Sequence, residues 1–316
     1  MKNTTRRNFI YHSAAAAAGI SLWPNVAGAA GDSGPHVSFP ATLRERISVA
    51  SYPFRKVIAG FGEAASEAPH PEMQLKDFAA HVIAKFGVNK IEPWSWHFQS
   101  LEQYYLDELR SSVAKAGASI VNIAVDGAHS VYSADKSERE KAIELSNKWI
   151  DAAARLGSPS IRTHIAGAKD RKPDVEAAAE SLRRVAEHGA AKNVVVHLEN
   201  DDPVSEDPFF VVNVIERANT PWLRALPDFA NSVVTGKGEY AYEGIQAMFR
   251  HAYGICHVKE IEANDEGKVF RADLSRTFGI LKTSAYQGFC SIEWDSPGDP
   301  YKGTADLIEK TLRYLA

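Results

Sequence analysis

The sequence predicts an α/β protein folded as a single closed (β/α)8 barrel. Three observations lead there. Short β-branched or apolar runs recur eight times, and longer segments with helical spacing, rich in Ala, Glu, Lys and Arg, separate them. No Gly-rich phosphate turn follows the first run, as it usually would in an open doubly wound sheet. The chain has 316 residues, 45% hydrophobic, which is enough for a barrel of about 250 residues.

The elements follow in order. A strand over 47–51 runs into Tyr52-Pro53-Phe54-Arg55. A helix over 73–86 ends at Gly87, and a strand over 88–92 leads into Glu92-Pro93-Trp94-Ser95-Trp96-His97. Helix 101–116 stops at Gly117, strand 120–125 follows, and helix 137–156 stops at Gly157. Strand 160–164 precedes a helix over 173–192, opened by Pro173 and with a stop signal at Gly189. Strand 194–199, helix 208–218 opened by Pro208, strand 223–228 and helix 242–251 come next. Strand 255–259, helix 273–286, strand 289–294 and helix 300–315 complete the series. Such alternation implies parallel strands joined by right-handed crossovers.

The barrel is expected over residues 45–316, behind an address. Residues 1–29 carry Lys2, Arg6 and Arg7 and no acid. Thr5-Arg6-Arg7-Asn8-Phe9-Ile10 precedes a weakly apolar stretch and Ala27-Gly28-Ala29. This pattern of charged, apolar and small-residue regions resembles a bacterial twin-arginine signal. It predicts export, already folded, by the twin-arginine (Tat) translocation machinery to a periplasmic or secreted location. Residues 30–44 then form a flexible lead-in. Without the three cations the formal charge of −4 becomes −7. An acidic chain argues against nucleic-acid binding through phosphates. No apolar run reaches the roughly 18–20 residues of a membrane span. Two cysteines, Cys256 and Cys290, permit one disulfide, but their places in apolar runs favour two buried free thiols on the outer side of neighbouring strands.

Chemistry in such a barrel sits where the strands end. The last four strands end in or carry Glu199, Asp228, His257 and Glu293. Each is an ionisable group in a run that otherwise looks like core, and burying one unpaired costs several kcal/mol. Three acids and an imidazole converging on one mouth would repel one another, and a divalent cation resolves that conflict. The set is hard and mostly oxygen, suited to Mn²⁺ or Mg²⁺ and open to Co²⁺ or Zn²⁺.

The order Glu, Asp, His, Glu on strands five to eight, spaced by about one βα unit each, resembles the xylose-isomerase-like TIM-barrel superfamily. Within it the chain is similar to the sugar and sugar-phosphate isomerases and ketose 3-epimerases. The resemblance implies that all four residues bind one metal ion, Mn²⁺ first. It also implies that Glu199 and Glu293 face each other across the substrate carbon, one removing a proton next to a carbonyl and the other able to return it on the opposite face. Two features depart from the family. Asn231 stands three residues after Asp228, where relatives often have His, and 260–265 lacks the Arg with which epimerases often grip substrate. Some relatives cleave 3-keto glycosides by elimination after the same proton abstraction, so a lyase is the alternative. A non-catalytic sugar-binding barrel is a further one, against which the complete ligand set counts. An endonuclease IV type enzyme would need more His and a basic surface.

Further candidates for substrate binding are Lys259, on the inward face of strand seven two residues past His257, and His164, which shares a face with Arg162. Trp94 could stack on a sugar ring, Glu92 could bond a hydroxyl, and Asn231 completes the group. Tyr52 and Phe54 are ambiguous between pocket and core. His197 is expected as a core or supporting histidine, Asp126 and His129 are weaker candidates, and Asp201, Asp202, Glu206 and Asp207 form an acidic loop. The expected partner is a small-molecule sugar or glycoside, and a homo-oligomer is compatible with the fold. GxSxG, HExxH and GxxxxGK[ST] are absent.

Overall fold

The computed structural model describes residues 34–264 and 266–316; the expected export signal lies outside them. The chain runs β1 (Ile47–Ala50), α1 (Leu75–Phe86), β2 (Lys90–Glu92), α2 (Gln103–Lys115), β3 (Ser119–Ile120), β4 (Ile123–Ala124), α3 (Lys136–Leu156), β5 (Ser160–Thr163) and α4 (Val175–Lys192). It continues with β6 (Val195–Glu199), α5 (Asp202–Ser205), α6 (Pro208–Ala218), β7 (Leu223–Leu226), α7 (Gly238–Phe249), β8 (Ile255–Val258), β9 (Ile261–Ala263), β10 (Val269–Arg271), α8 (Leu274–Thr283), β11 (Phe289–Ile292) and α9 (Pro300–Leu315).

Parallel pairing gives the strand orders β3-β2-β1-β11-β8 and β4-β5-β6-β7. β3 and β4 are two halves of one barrel strand, interrupted where Asn122 turns its buried amide towards Glu92. Among the described residues, β7 and β8 are joined by two isolated bridges, Ala225 with Ala252 and Asp228 with His257, and a third, Trp94 with Ala124, joins β4 to the segment after β2. Eight barrel positions and their helices thus match the predicted alternation. Odd residues of β1, Ile47 and Val49, join the apolar layer under the helices. Towards the mouth the side chains facing the axis are small or polar, among them Ser48, Asn122, Ser160 and Ser291, all buried, above an apolar plug of Val121, Leu226, Ile255 and Phe289. That leaves the axis free to carry a polar site, while the strand–helix layer supplies the apolar burial, at about 25 cal/mol per Å².

Aspartates set the helix starts. Asp135, Asp174, Asp207, Asp273 and Asp299 each accept a backbone N–H in the first turn of the helix that follows. Gly87 and Gly157 end their helices in the left-handed conformation, as expected. Gly189 does not end α4: the helix continues to Lys192, and Asn193 takes the left-handed turn at φ 54°. Pro173 lies before the Asp174 cap rather than inside the helix. α7 starts at Gly238, earlier than periodicity suggested, and α8 ends at Thr283, before Ala285 adopts a φ of 57°. The β9–β10 hairpin follows β8 where no element was expected.

The described part of the lead-in has no regular structure before a 3-10 turn at Arg44–Arg46, yet it is anchored. The Tyr253 hydroxyl donates to the Pro35 carbonyl, and Phe39 packs edge-on against Tyr253 and Phe289 beneath the barrel. Cys256 and Cys290 are register partners on β8 and β11, buried as free thiols with their sulfurs 3.8 Å apart.

Candidate active site

Strand pairing brings Glu199, Asp228, His257 and Glu293 together. Each is buried, and one ligand atom from each lies within 4.8 Å of the others. His257 is the hub. Its Nδ1 is 2.6 Å from Glu199 Oε1, 3.4 Å from Glu293 Oε2 and 4.0 Å from Asp228 Oδ2. Its Nε2 lies 3.0 Å from both oxygens of Glu92. That contact fixes the ring; with the proton on Nε2 alone, as when a metal is bound, Nδ1 would present its lone pair towards the three carboxylates.

The remaining bonds orient the acids. Asp228 Oδ1 accepts the backbone N–H groups of Ala230 and Asn231, each at 2.7 Å. Asn200 ties the Asp228 backbone down from both sides. Asp228 Oδ2 is buried without a hydrogen-bond partner. Glu199 Oε2 meets Arg162 Nε at 2.7 Å, without the alignment of a hydrogen bond. A hard donor set with an orphaned carboxylate oxygen at its centre fits a divalent cation.

The electrostatics agree. Burial pushes the Asp228 carboxyl up to about 8, against the pull of Lys259 and with repulsion from Glu199 and Glu293. Burial also raises Glu199, ahead of the opposing Arg162 and His257. Burial would raise Glu293 as well, but His257 and Lys259 hold it at about 2. Burial alone would lower His257, yet Glu199, Glu92 and Glu293 keep it well above its ordinary value. Glu199 and Asp228 are thus pushed towards their protonated forms, while Glu293 is held ionised by the cations beside it.

Above the cluster opens a cavity of about 340 Å³, lined by Tyr52, Arg162, Asn231, Lys259, Glu293 and Asp295 among others. Lys259 Nζ donates to Asn231 Oδ1 at 3.0 Å, pairs with Glu262 on the hairpin and lies 3.6 Å from Glu293. Trp94 and His164 line an adjoining cavity of about 430 Å³. Glu92 lines neither. It is 0% exposed and bonded to His257 and Asn122, so it supports the imidazole and meets no hydroxyl from the cavity. Phe54 belongs to the core. His197 accepts the Gly254 N–H below the site, and burial holds it at about 3. His129 pairs with Glu138.

Arg162 was underrated from sequence. It is buried and reaches Glu199, Asp126 and Asp201, the last at 3.9 Å. Asp201 also faces His164 at 3.5 Å, so the first acid of the loop is part of the mouth. The available signal was the inward face that Arg162, on β5, shares with His164 just past its end.

A parallel barrel with a polar axis and a three-carboxylate, one-imidazole cluster at its C-terminal mouth defines a class of barrel proteins. The match of residues 80–316 to the xylose isomerase-like TIM barrel model places the chain in that family. No curated protein matches the sequence. Among solved structures the chain resembles D-allulose 3-epimerase from Methylomonas sp., with 16% identity and a TM-score of 0.66 over 88% of this chain and 100% of that one. It also resembles the 3-keto-D-glucoside 4-epimerase of E. coli, with 15% identity and a TM-score of 0.62 over 84% and 98%. A xylose isomerase-like TIM barrel protein from Mycobacterium smegmatis, in complex with magnesium, gives 18% identity and a TM-score of 0.61 over 85% and 96%.

Proposed function

We propose that the protein is a divalent-metal-dependent sugar isomerase or epimerase that abstracts a proton next to a carbonyl. The observation that carries this is the buried cluster of Glu199, Asp228, His257 and Glu293, with Asp228 Oδ2 orphaned inside it. Those four residues would hold the ion, Mn²⁺ first. When bound, it supplies positive charge to the substrate oxygens and so favours loss of the neighbouring proton. Glu293 opens onto the cavity and is held ionised, as a base must be. Glu199, across the cluster, serves the opposite face: one glutamate takes the proton and the other returns it, inverting the carbon. Lys259 helps keep Glu293 ionised, and Arg162 holds Glu199 in place against the burial that raises it. The sugar epimerase neighbours support the reading.

The same base would serve elimination from a 3-keto glycoside. The C2 proton leaves to the glutamate, its electron pair forms the C1–C2 double bond, and the C1–O bond breaks to release the aglycone, whose oxygen takes up a proton. Continuation of the cavity past Asp126 favours this second reading. We also infer export through the twin-arginine route, on the strength of Arg6-Arg7 and the acid-free leader; Arg6→Lys with Arg7→Lys should then retain the protein in the cytoplasm.

Purified protein should contain about one divalent ion per chain by elemental analysis. In deuterated water it should exchange the proton next to the carbonyl of a free ketose or a 3-keto glycoside, and stop on chelation. Glu293→Gln should lower exchange at least about 100-fold with unfolding unchanged. No exchange into any member of either panel would overturn the reading.

A further inference from the structure

The cavity over the carboxylates is one of three that share a wall. Asp126 lines all of them, at about 340, 430 and 480 Å³. The first sits at the lower end of ligand-pocket sizes, about 300–1,000 Å³, which suits one sugar ring. Beyond Asp126 the chemistry of the walls changes. The second cavity is flanked by Trp94, Trp96 and Ala64, and the third by Phe61, Phe98 and Trp149.

The seam is held rigidly. Asp126 accepts from Arg162 on one oxygen and from the Trp94 indole N–H on the other. Trp94 is wedged edge-on between Tyr52 and His97, with ring centroids 5.0 and 5.1 Å away. Trp96 is backed by the loop at Gly62: its carbonyl accepts the Phe61 N–H, and a Cβ on Gly62, at φ +58°, would stand 2.3 Å from the indole ring. Two indoles are therefore set before any ligand arrives, which lowers the entropy cost of binding.

We propose that this trough is a subsite for an uncharged aromatic aglycone, carried on a glycoside whose sugar ring occupies the carboxylate cavity. The proposal rests on the sugar reading above and names its substrate class. The second cavity carries polar side chains, but the third is walled mainly by Phe61, Phe98, Leu101, Leu145 and Trp149, and its Ser95 and His129 are already bonded to Asp126 and Glu138, so it suits an aryl ring on indole better than a second sugar. No Lys or Arg lines the second or third cavity, while Glu63 and Glu67 do, so an anionic aglycone is repelled.

The test uses the metal-loaded full chain with methyl, phenyl and 4-carboxyphenyl 3-keto glucosides, comparing kcat/KM for solvent-deuterium exchange. Phenyl should exceed methyl about tenfold and exceed 4-carboxyphenyl by a similar factor. Trp96→Ala should collapse the phenyl-to-methyl ratio, and Trp96→Phe should restore most of it. Equal rates for methyl and phenyl, or a ratio unmoved by Trp96→Ala, would overturn the subsite. Absence of exchange with all three and with free ketoses would instead overturn the sugar chemistry. Tryptophan fluorescence titration with phenyl and methyl glucosides then decides the subsite alone, and equal affinities would exclude it.

Discussion

Glu92 and Glu293 both end a barrel strand, yet only one meets the cavity. Register does not separate them, since Ile91 and Ile292 both pair with Val49 and each glutamate is the next residue; Glu92 is closed off by His257 and Asn122, while Glu293 opens onto the cavity. Sequence shows that an acid or an imidazole stands at the end of a core run, and that singled out the four residues found clustered here. It does not show what closes over the acid, so Glu92 looked like a hydroxyl partner when it is the support of His257. Arg162 was obscured for a similar reason, since its value comes from three acids on two other segments, Asp126 after β4 and Glu199 and Asp201 at the end of β6. Supporting partners of metal ligands commonly change affinity about 10–100-fold. Glu92→Gln, which keeps the shape and removes the charge, should weaken Mn²⁺ binding by about that factor in isothermal titration. An unchanged dissociation constant would deny it the role.

At the scale of the element, two helical glycines look alike in sequence and behave oppositely. Gly189 in α4 would carry a Cβ 2.4 Å from the Val194 carbonyl oxygen, where the chain turns back into β6. Gly279 in α8 has nothing within 4 Å of its Cβ position. Alanine is worth about 1 kcal/mol over glycine in a helix. Gly279→Ala should therefore stabilise the protein by about that much, while Gly189→Ala should destabilise it by about 1–3 kcal/mol through overpacking. Urea unfolding midpoints moving in the same direction would refute the contrast. The barrel elements were legible because their periodicity extends over whole strands and helices. The β9–β10 hairpin was not: each strand has three residues, too few for an alternating pattern, and its place beside Lys259 depends on Glu262.

Across the whole molecule, the eightfold alternation was readable but the weak joint was not, because strand periodicity says nothing of how well two neighbours pair; the first and last strands, β1 and β11, form a regular ladder. Pairing thins at two places: beside the split third strand, where β4 meets the segment after β2 through the isolated Trp94–Ala124 bridge, and between β7 and β8, where backbone bonds such as His257 N–H to Pro227 and Phe229 N–H to His257 span the gap. Glu199 and Asp228 stand on one side of this second joint, His257 and Glu293 on the other.

A bound ion would therefore act as a buckle as well as a reagent. Metal loading should slow hydrogen exchange at the His257 and Phe229 amides more than at the β1–β2 pairing, and uniform protection around the ring would dismiss the idea. If the joint behaves so, loss of the ion is felt first as breathing at a single stave. The life of the protein among proteases is then set by the same four side chains as its chemistry.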